Sequence, residues 1–343
     1  MQLNMSSTVT GIQFDKALSE GAHNAIFTCL KLKKEETITV ITDNDSIEIA
    51  ASLVHEIEKA GSKLHYYVLE DYSPRPLEHM PQQVLDGLAG SQVSIFCAQA
   101  QTGELGSRIE MTNVIDAKGI RHGHMVNINK QIMLEAMRAD FNKVDEISRQ
   151  LIERARKAKV ITVTSPGGTD MTAEFSPNLK WLKTSGLITV DKWGNLPGGE
   201  IFTSPYNVIG TFVVDGVVGD YLCQKYGDLK NNPLKIEIKD SRIIKIESSN
   251  KELFEEFTAY TMTDENSNRV GEFAIGTNIA IRNVIGHILQ DEKLPTVHIA
   301  FGHPYSKHTG ADWQSVTHID CVSVKCSVSF DGELVMEQGE FLI

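Results

Sequence analysis

Ile38-Thr39-Val40-Ile41-Thr42-Asp43-Asn44-Asp45-Ser46-Ile47-Glu48-Ile49-Ala50-Ala51 passes from a strand pattern to a helix pattern across a short polar turn. The run Ile38 to Thr42 is uncharged and rich in β-branched residues, as suits a strand covered on both faces. Asp43 to Ser46 supplies turn and N-cap chemistry, and helical spacing then continues to Ala60. Lys63 to Leu69 reads as the next strand, followed by a helix at Gln82 to Ala89 and a strand at Val93 to Ala98. A polar loop is expected over Gln99 to Arg108, then helices at Gln131 to Arg138 and, strongly amphipathic, at Val144 to Lys157. Strands alternating with helices predict an α/β N-terminal domain with a mostly parallel sheet. Beyond Val160, strand-like runs separated by Gly, Pro and Asn dominate, and only Asn278 to Gln290 reads as a helix. At 343 residues the chain exceeds what one core usually serves. The expected division is therefore residues 1–165, α/β, and residues 166–343, a β-rich α+β domain.

Composition narrows the function. A formal charge of −12 repels phosphate backbones, and no Lys/Arg cluster interleaved with aromatics offsets it, which argues against nucleic acid as a partner. Met1 to Gly11 has neither a basic nor an apolar leader region, and no apolar run is long enough to span a bilayer; a cytoplasmic protein without membrane association is expected. Cys29, Cys97, Cys223, Cys321 and Cys326 are too scattered for a disulfide framework and read as buried thiols.

Several motifs fail on their chemistry. The first strand runs into Asp43-Asn44-Asp45, with no Gly-x-Gly-x-x-Gly to cradle a dinucleotide. Ser165-Pro166-Gly167-Gly168-Thr169-Asp170 lacks the Gly-Lys-Ser/Thr ending of a phosphate loop and reads as a turn between strands. His55-Glu56 has Lys59 where a zinc-protease helix needs its second histidine. His122 and His124 could line a cleft, although a hydrogen-bonding role inside the fold is the plainer reading.

The chemistry gathers in the second half. In Trp193-Gly194-Asn195-Leu196-Pro197-Gly198-Gly199-Glu200, an acid follows two glycines at the head of an apolar strand, open to close approach; alone it also reads as a solvated turn acid. Glu272 sits within Gly271-Glu272-Phe273-Ala274-Ile275, where an unpaired carboxylate would cost several kcal/mol, so it needs a cation or one of Arg269 and Arg282. His298 lies in the apolar run Thr296 to Gly302, as a ligand or a hydrogen-bonded core residue, with Tyr305 seven residues on. In Thr317-His318-Ile319-Asp320, strand alternation sends His318 and Asp320 to one face. Oxygen and nitrogen donors without thiolate suit Zn²⁺, Mn²⁺ or Co²⁺, and five of them are appropriate to a pair of ions.

With these residues the chain resembles the aminopeptidase T and aminopeptidase S group of leucyl aminopeptidases, the thermophilic metalloproteases. The likeness takes in Ala22 to Asp43, Gly168-Thr169-Asp170 and the second half. That group holds its metals with the Glu of Leu-Pro-x-Gly-Glu, a second Glu, a His and a His-x-Asp pair, with a Tyr seven residues after the single His. Here these are Glu200, Glu272, His298, His318, Asp320 and Tyr305, in the same order. The resemblance implies a homodimeric metallo-aminopeptidase using two divalent ions to activate water against a small peptide or aminoacyl amide. Glu272 would then act as ligand and general base, and Tyr305 as oxyanion donor. The group is also similar to 2,5-dihydroxypyridine dioxygenases, so a mononuclear non-haem iron enzyme using His298, His318 and Asp320 is the alternative. A binding protein whose acids and histidines are merely structural is the third.

Overall fold

The computed structural model describes residue 9, residues 11–190 and residues 194–343, so Trp193 of the glycine-rich stretch lies outside the described residues. Contacts divide the chain into two units, one of residues 1–142 with 186–198, the other of residues 143–185 with 199–343. This differs from a single cut after residue 165. The long amphipathic helix, Phe141–Ala155, goes almost wholly with the second unit, and residues 186–198 return to the first.

The first unit is built on a parallel sheet in the order Lys63–Val68, Thr37–Thr42, Val93–Cys97, Arg121–His124, Gly194–Asn195. Helices Ile47–Ala60 and Gln82–Ala89 fall where the periodicity places them, and Gly61 closes the first of them in the left-handed conformation that glycine adopts without penalty. The expected loop Gln99 to Arg108 is shorter than read, because a helix, Leu105–Lys118, begins inside it. That helix buries only Ser107, Met111 and Ile115, too sparse an apolar stripe to show in the sequence. His122 and His124 are both buried: His122 Nδ1 lies 2.8 Å from Ser94 Oγ, and its Nε2 lies 3.2 Å from His124 Nδ1.

Two antiparallel sheets make up most of the second unit. The larger runs in the order Arg242–Glu247, Leu234–Lys239, Asn207–Val214, Asp170–Glu174, Val160–Thr164, Ser327–Phe330, Glu333–Glu337, Glu340–Phe341. Ser165 to Thr169 is the turn joining two of its strands. The smaller has the order His318–Ser323, Val297–Gly302, Val270–Gly276, Glu200–Thr203, Leu182–Thr184. Apolar side chains of both sheets, among them Val163, Phe212, Ile236, Phe273, Ile275, Ile299, Phe301 and Cys321, share one core. All five cysteines are buried, and among the described residues none forms a disulfide.

The helix expected over Asn278 to Gln290 does not form; only Ile288–Asp291 is helical. Side chains capture the backbone there instead. The Asp291 carboxylate accepts the N–H groups of Ile285 at 3.0 Å and His287 at 2.8 Å, and Asn278 Oδ1 accepts that of Ala280 at 3.2 Å. Such local bonds compete with a helical ladder. Helices Asp220–Tyr226 and Lys251–Tyr260 appear in the half read as strands, the second capped by the Asn250 side chain on the Leu253 N–H. No described helix is long and apolar enough to cross a membrane.

Candidate metal centre

The smaller sheet sorts its residues by the two-residue period of a strand. Phe273, Ile275, Val297, Ile299, Phe301, Ile319 and Cys321 enter the core, so Glu272, His298, His318 and Asp320, at the intervening positions, emerge together on the other face. Register then spaces them. Ala300 stands opposite both Glu272 and Asp320, Ala274 stands between His298 and Phe202, Gly276 opposite Glu200, and Gly302 opposite His318. Small residues thus alternate with chemical ones and leave room above the sheet. One irregularity, the extra residue Gly271 between Val270 and Glu272, is a bulge; a Cβ there would lie 2.1 Å from the Gly302 carbonyl oxygen, which only glycine avoids.

All five predicted ligands converge. Glu200, Glu272 and His298 form one group of donors, and Glu272, His318 and Asp320 a second, each with its atoms within 4.8 Å of one another. His298 Nε2 is 3.6 Å from Glu200 Oε2 and 3.7 Å from Glu272 Oε1; His318 Nε2 is 3.8 Å from Glu272 Oε2 and 3.4 Å from Asp320 Oδ1. These gaps exceed hydrogen-bond lengths. Donors that each sit about 2.1 Å from a shared ion are about 3.0–3.4 Å apart in octahedral or tetrahedral sites; the His318–Asp320 gap has that spacing, and the other three are a few tenths of an ångström wider. His318 Nδ1 lies 2.9 Å from the His303 carbonyl oxygen, and donation to it frees Nε2 to face the carboxylates. Buried His298 Nδ1 has no hydrogen-bond partner among the described residues.

Two charged residues enter that the sequence reading missed. Glu292 joins His298 and Asp320 as a third donor group, and Lys293, only 2% exposed, places Nζ 2.7 Å from both Glu200 Oε1 and Glu292 Oε1. Asp291-Glu292-Lys293 reads in sequence as a solvated charge run; its one signal is its place just before the His298 strand. The arginines offered as partners for Glu272 are engaged elsewhere, Arg269 over the Trp313 ring and Arg282 3.9 Å from Glu340.

Electrostatics fit an ion. Burial pushes the Glu272 carboxyl up and Glu292 up to about 8, while Asp320 is drawn down to about 2, burial notwithstanding, by His318. Against its own burial, His318 is held protonated by Asp320, up to about 10. Protons therefore do in the ion-free site what a divalent cation does on binding, and loading would release them. Tyr305, with φ of 50° in the left-handed region, sets its ring edge-on to His318 at 4.8 Å between centroids. Desolvation and the carboxylates of Glu272 and Asp320 push its phenol well above the ordinary range, which keeps it a donor.

Comparison with known proteins bears on the fold and the family. The structure of AmpT from Thermus thermophilus superposes with a TM-score of 0.67 at 16% identity, covering 96% of this chain and 100% of that one. That of 2,5-dihydroxypyridine dioxygenase from Pseudomonas putida KT2440 gives 0.66 at 13% identity, covering 95% and 96%. At such identities they share the fold. No curated protein matches the sequence significantly. The sequence profile of the thermophilic metalloproteases (M29) matches residues 122–341. Since that match spans well over half of the chain, the chain belongs to the thermophilic metalloprotease family and is a metal-dependent hydrolase.

Proposed function

We propose that the protein is an aminopeptidase or aminoacyl-amide hydrolase that holds two divalent ions, zinc, manganese or cobalt, on Glu200, Glu272, His298, His318 and Asp320, with Glu292 as a sixth ligand. The observation that carries this reading is the sharing of carboxylates: Glu272 and Asp320 each belong to two of the three groups, as carboxylates that bridge neighbouring ions do. When bound, the ions activate a water and polarise the scissile carbonyl.

The chain's own residues do the rest. Glu272, buried and with its proton affinity raised, accepts the proton of the attacking water on a carboxylate oxygen and delivers it to the leaving amine. Tyr305 Oη donates a hydrogen bond to the carbonyl oxygen as charge develops on it. The acidic wall accommodates the substrate's α-ammonium, and a homodimer is the assembly expected.

The test is metal content of protein purified without chelator, repeated on Glu272→Ala. About two zinc, manganese or cobalt ions per chain, reduced in the variant, support the proposal. About one iron, indifferent to Glu272, would transfer the chain to the ring-cleaving dioxygenase chemistry named for its structural neighbour, and no metal after reconstitution would overturn both.

A further inference from the structure

Lys293 is the least expected member of the site, since a fully buried ammonium is costly without anionic partners. Its backbone is fixed from several directions. The Asn278 N–H bonds the Lys293 carbonyl at 2.9 Å, and the Lys293 N–H bonds that of Gln290 at 2.9 Å. The Lys293–Leu294 peptide lies so close over Gly276 that a Cβ there would meet the Leu294 oxygen at 1.9 Å. The next residue, Thr277, donates its N–H to the Gly199 carbonyl at 2.7 Å, and Gly199 donates its own to Thr184 at 2.7 Å. Gly199 directly precedes Glu200, so the lysine and the first acid are anchored to one another through the main chain.

This anchoring acts on individual oxygens. Glu200 Oε1 receives Lys293 Nζ at 2.7 Å and Thr184 Oγ1 at 2.7 Å, while Oε2 is the oxygen turned toward His298. Glu292 Oε1 receives the same ammonium at 2.7 Å. We infer that Lys293, aided by Thr184, is a positioning residue that occupies one oxygen of Glu200 and one of Glu292, making each a single-oxygen ligand and joining the two donor groups to which they belong. A carboxylate released from such a clamp would be free to offer both oxygens, which would change the number of donors the site presents to an ion. Outer partners of this kind set metal affinity by roughly 10- to 100-fold.

The inference rests on the proposed metal site, and the experiment separates the two. Metal-free wild type, Lys293→Met and Thr184→Val would be titrated with Co²⁺ against a competing chromophoric chelator, reading affinity and the visible absorption that reports coordination number. Circular dichroism of the metal-free proteins would report folding. Folded Lys293→Met is expected to bind at least one Co²⁺ about 10- to 100-fold more weakly, with an altered spectrum. Thr184→Val is expected to alter the spectrum in the same direction with a smaller loss of affinity. Wild-type affinity and spectrum in a folded Lys293→Met protein would overturn the inference while leaving the metal site standing. Should Lys293→Met not fold, an unchanged spectrum in Thr184→Val overturns it. Absence of Co²⁺ binding by wild type would instead remove the metal site itself.

Discussion

Glu272 is the residue on which most chemistry converges: it is buried, faces both histidines and belongs to two donor groups. Glu272→Ala is expected to abolish turnover of aminoacyl amides, and substantial activity in that variant would remove it from its role as base. Tyr305 lies partly exposed against His318, and its proposed role is a hydrogen bond to the substrate's carbonyl oxygen, not a bond to an ion. Tyr305→Phe should therefore slow turnover by roughly 10²-fold, the scale of losing one oxyanion donor, with metal content unchanged. A large loss of metal would identify it as a ligand. The five proposed ligands were candidates in the sequence because each interrupts an apolar strand or follows paired glycines, places where a carboxylate or imidazole is conspicuous, and the family resemblance joined them into one set. Glu292 and Lys293 were not, because nothing in a charge run distinguishes buried charges from solvated ones until an irregular segment folds back over a sheet.

Strands, at the next scale, decide where those residues point. Their alternation was readable, and it alone places Glu272, His298, His318 and Asp320 on the face opposite the core. The failed helix at Asn278 to Gln290 was unreadable for the converse reason: its apolar spacing is helical, while Asp291 and Asn278 take its backbone donors. Gly276 is the narrowest point of the site-bearing sheet, and Gly276→Ala should destabilise the fold by about 1–3 kcal/mol, seen as a lower Tm with denatured-state spectra unchanged. A native Tm would mean the Leu294 peptide yields freely. Entry to the His318–Asp320 strand depends on Asp264, which accepts N–H bonds from Val316 at 2.7 Å and Asn266 at 2.8 Å and the Ser315 hydroxyl at 2.9 Å, holding its carboxyl down to about 2. A carboxyl with a lowered folded-state pKa stabilises in full above its unfolded value of about 3.9, and that contribution fades as pH falls toward about 2. Asp264→Asn should thus flatten the acid limb of stability between about pH 4 and 2; an unchanged limb would show that the loop is held by other bonds.

In the molecule as a whole, four ionisable acids are gathered over one sheet with a lysine and two histidines to balance them. A bound ion stabilises the folded chain by mass action, about 2.7 kcal/mol at a concentration 100-fold above its dissociation constant. Chelation should lower Tm reversibly, with recovery on adding zinc or manganese; indifference of Tm to chelator and metal alike would count against an ion-dependent fold. The parallel α/β half and the β-rich half were foreseen from sequence texture, because alternation of strand with helix and dense Gly/Pro punctuation leave separate marks. The path of residues 186–198 was not, because a two-residue strand carries no pattern of its own. The order of the larger sheet also bears on how the protein comes into being. Strand Ser327–Phe330, which follows the last proposed ligand, pairs with Val160–Thr164 on one side and Glu333–Glu337 on the other. A nascent polypeptide ending at Asp320 would therefore carry every proposed ligand while lacking the strand that fills the gap between Val160–Thr164 and Glu333–Glu337, so the presence of the ligands in the chain does not by itself complete the sheets that share their core.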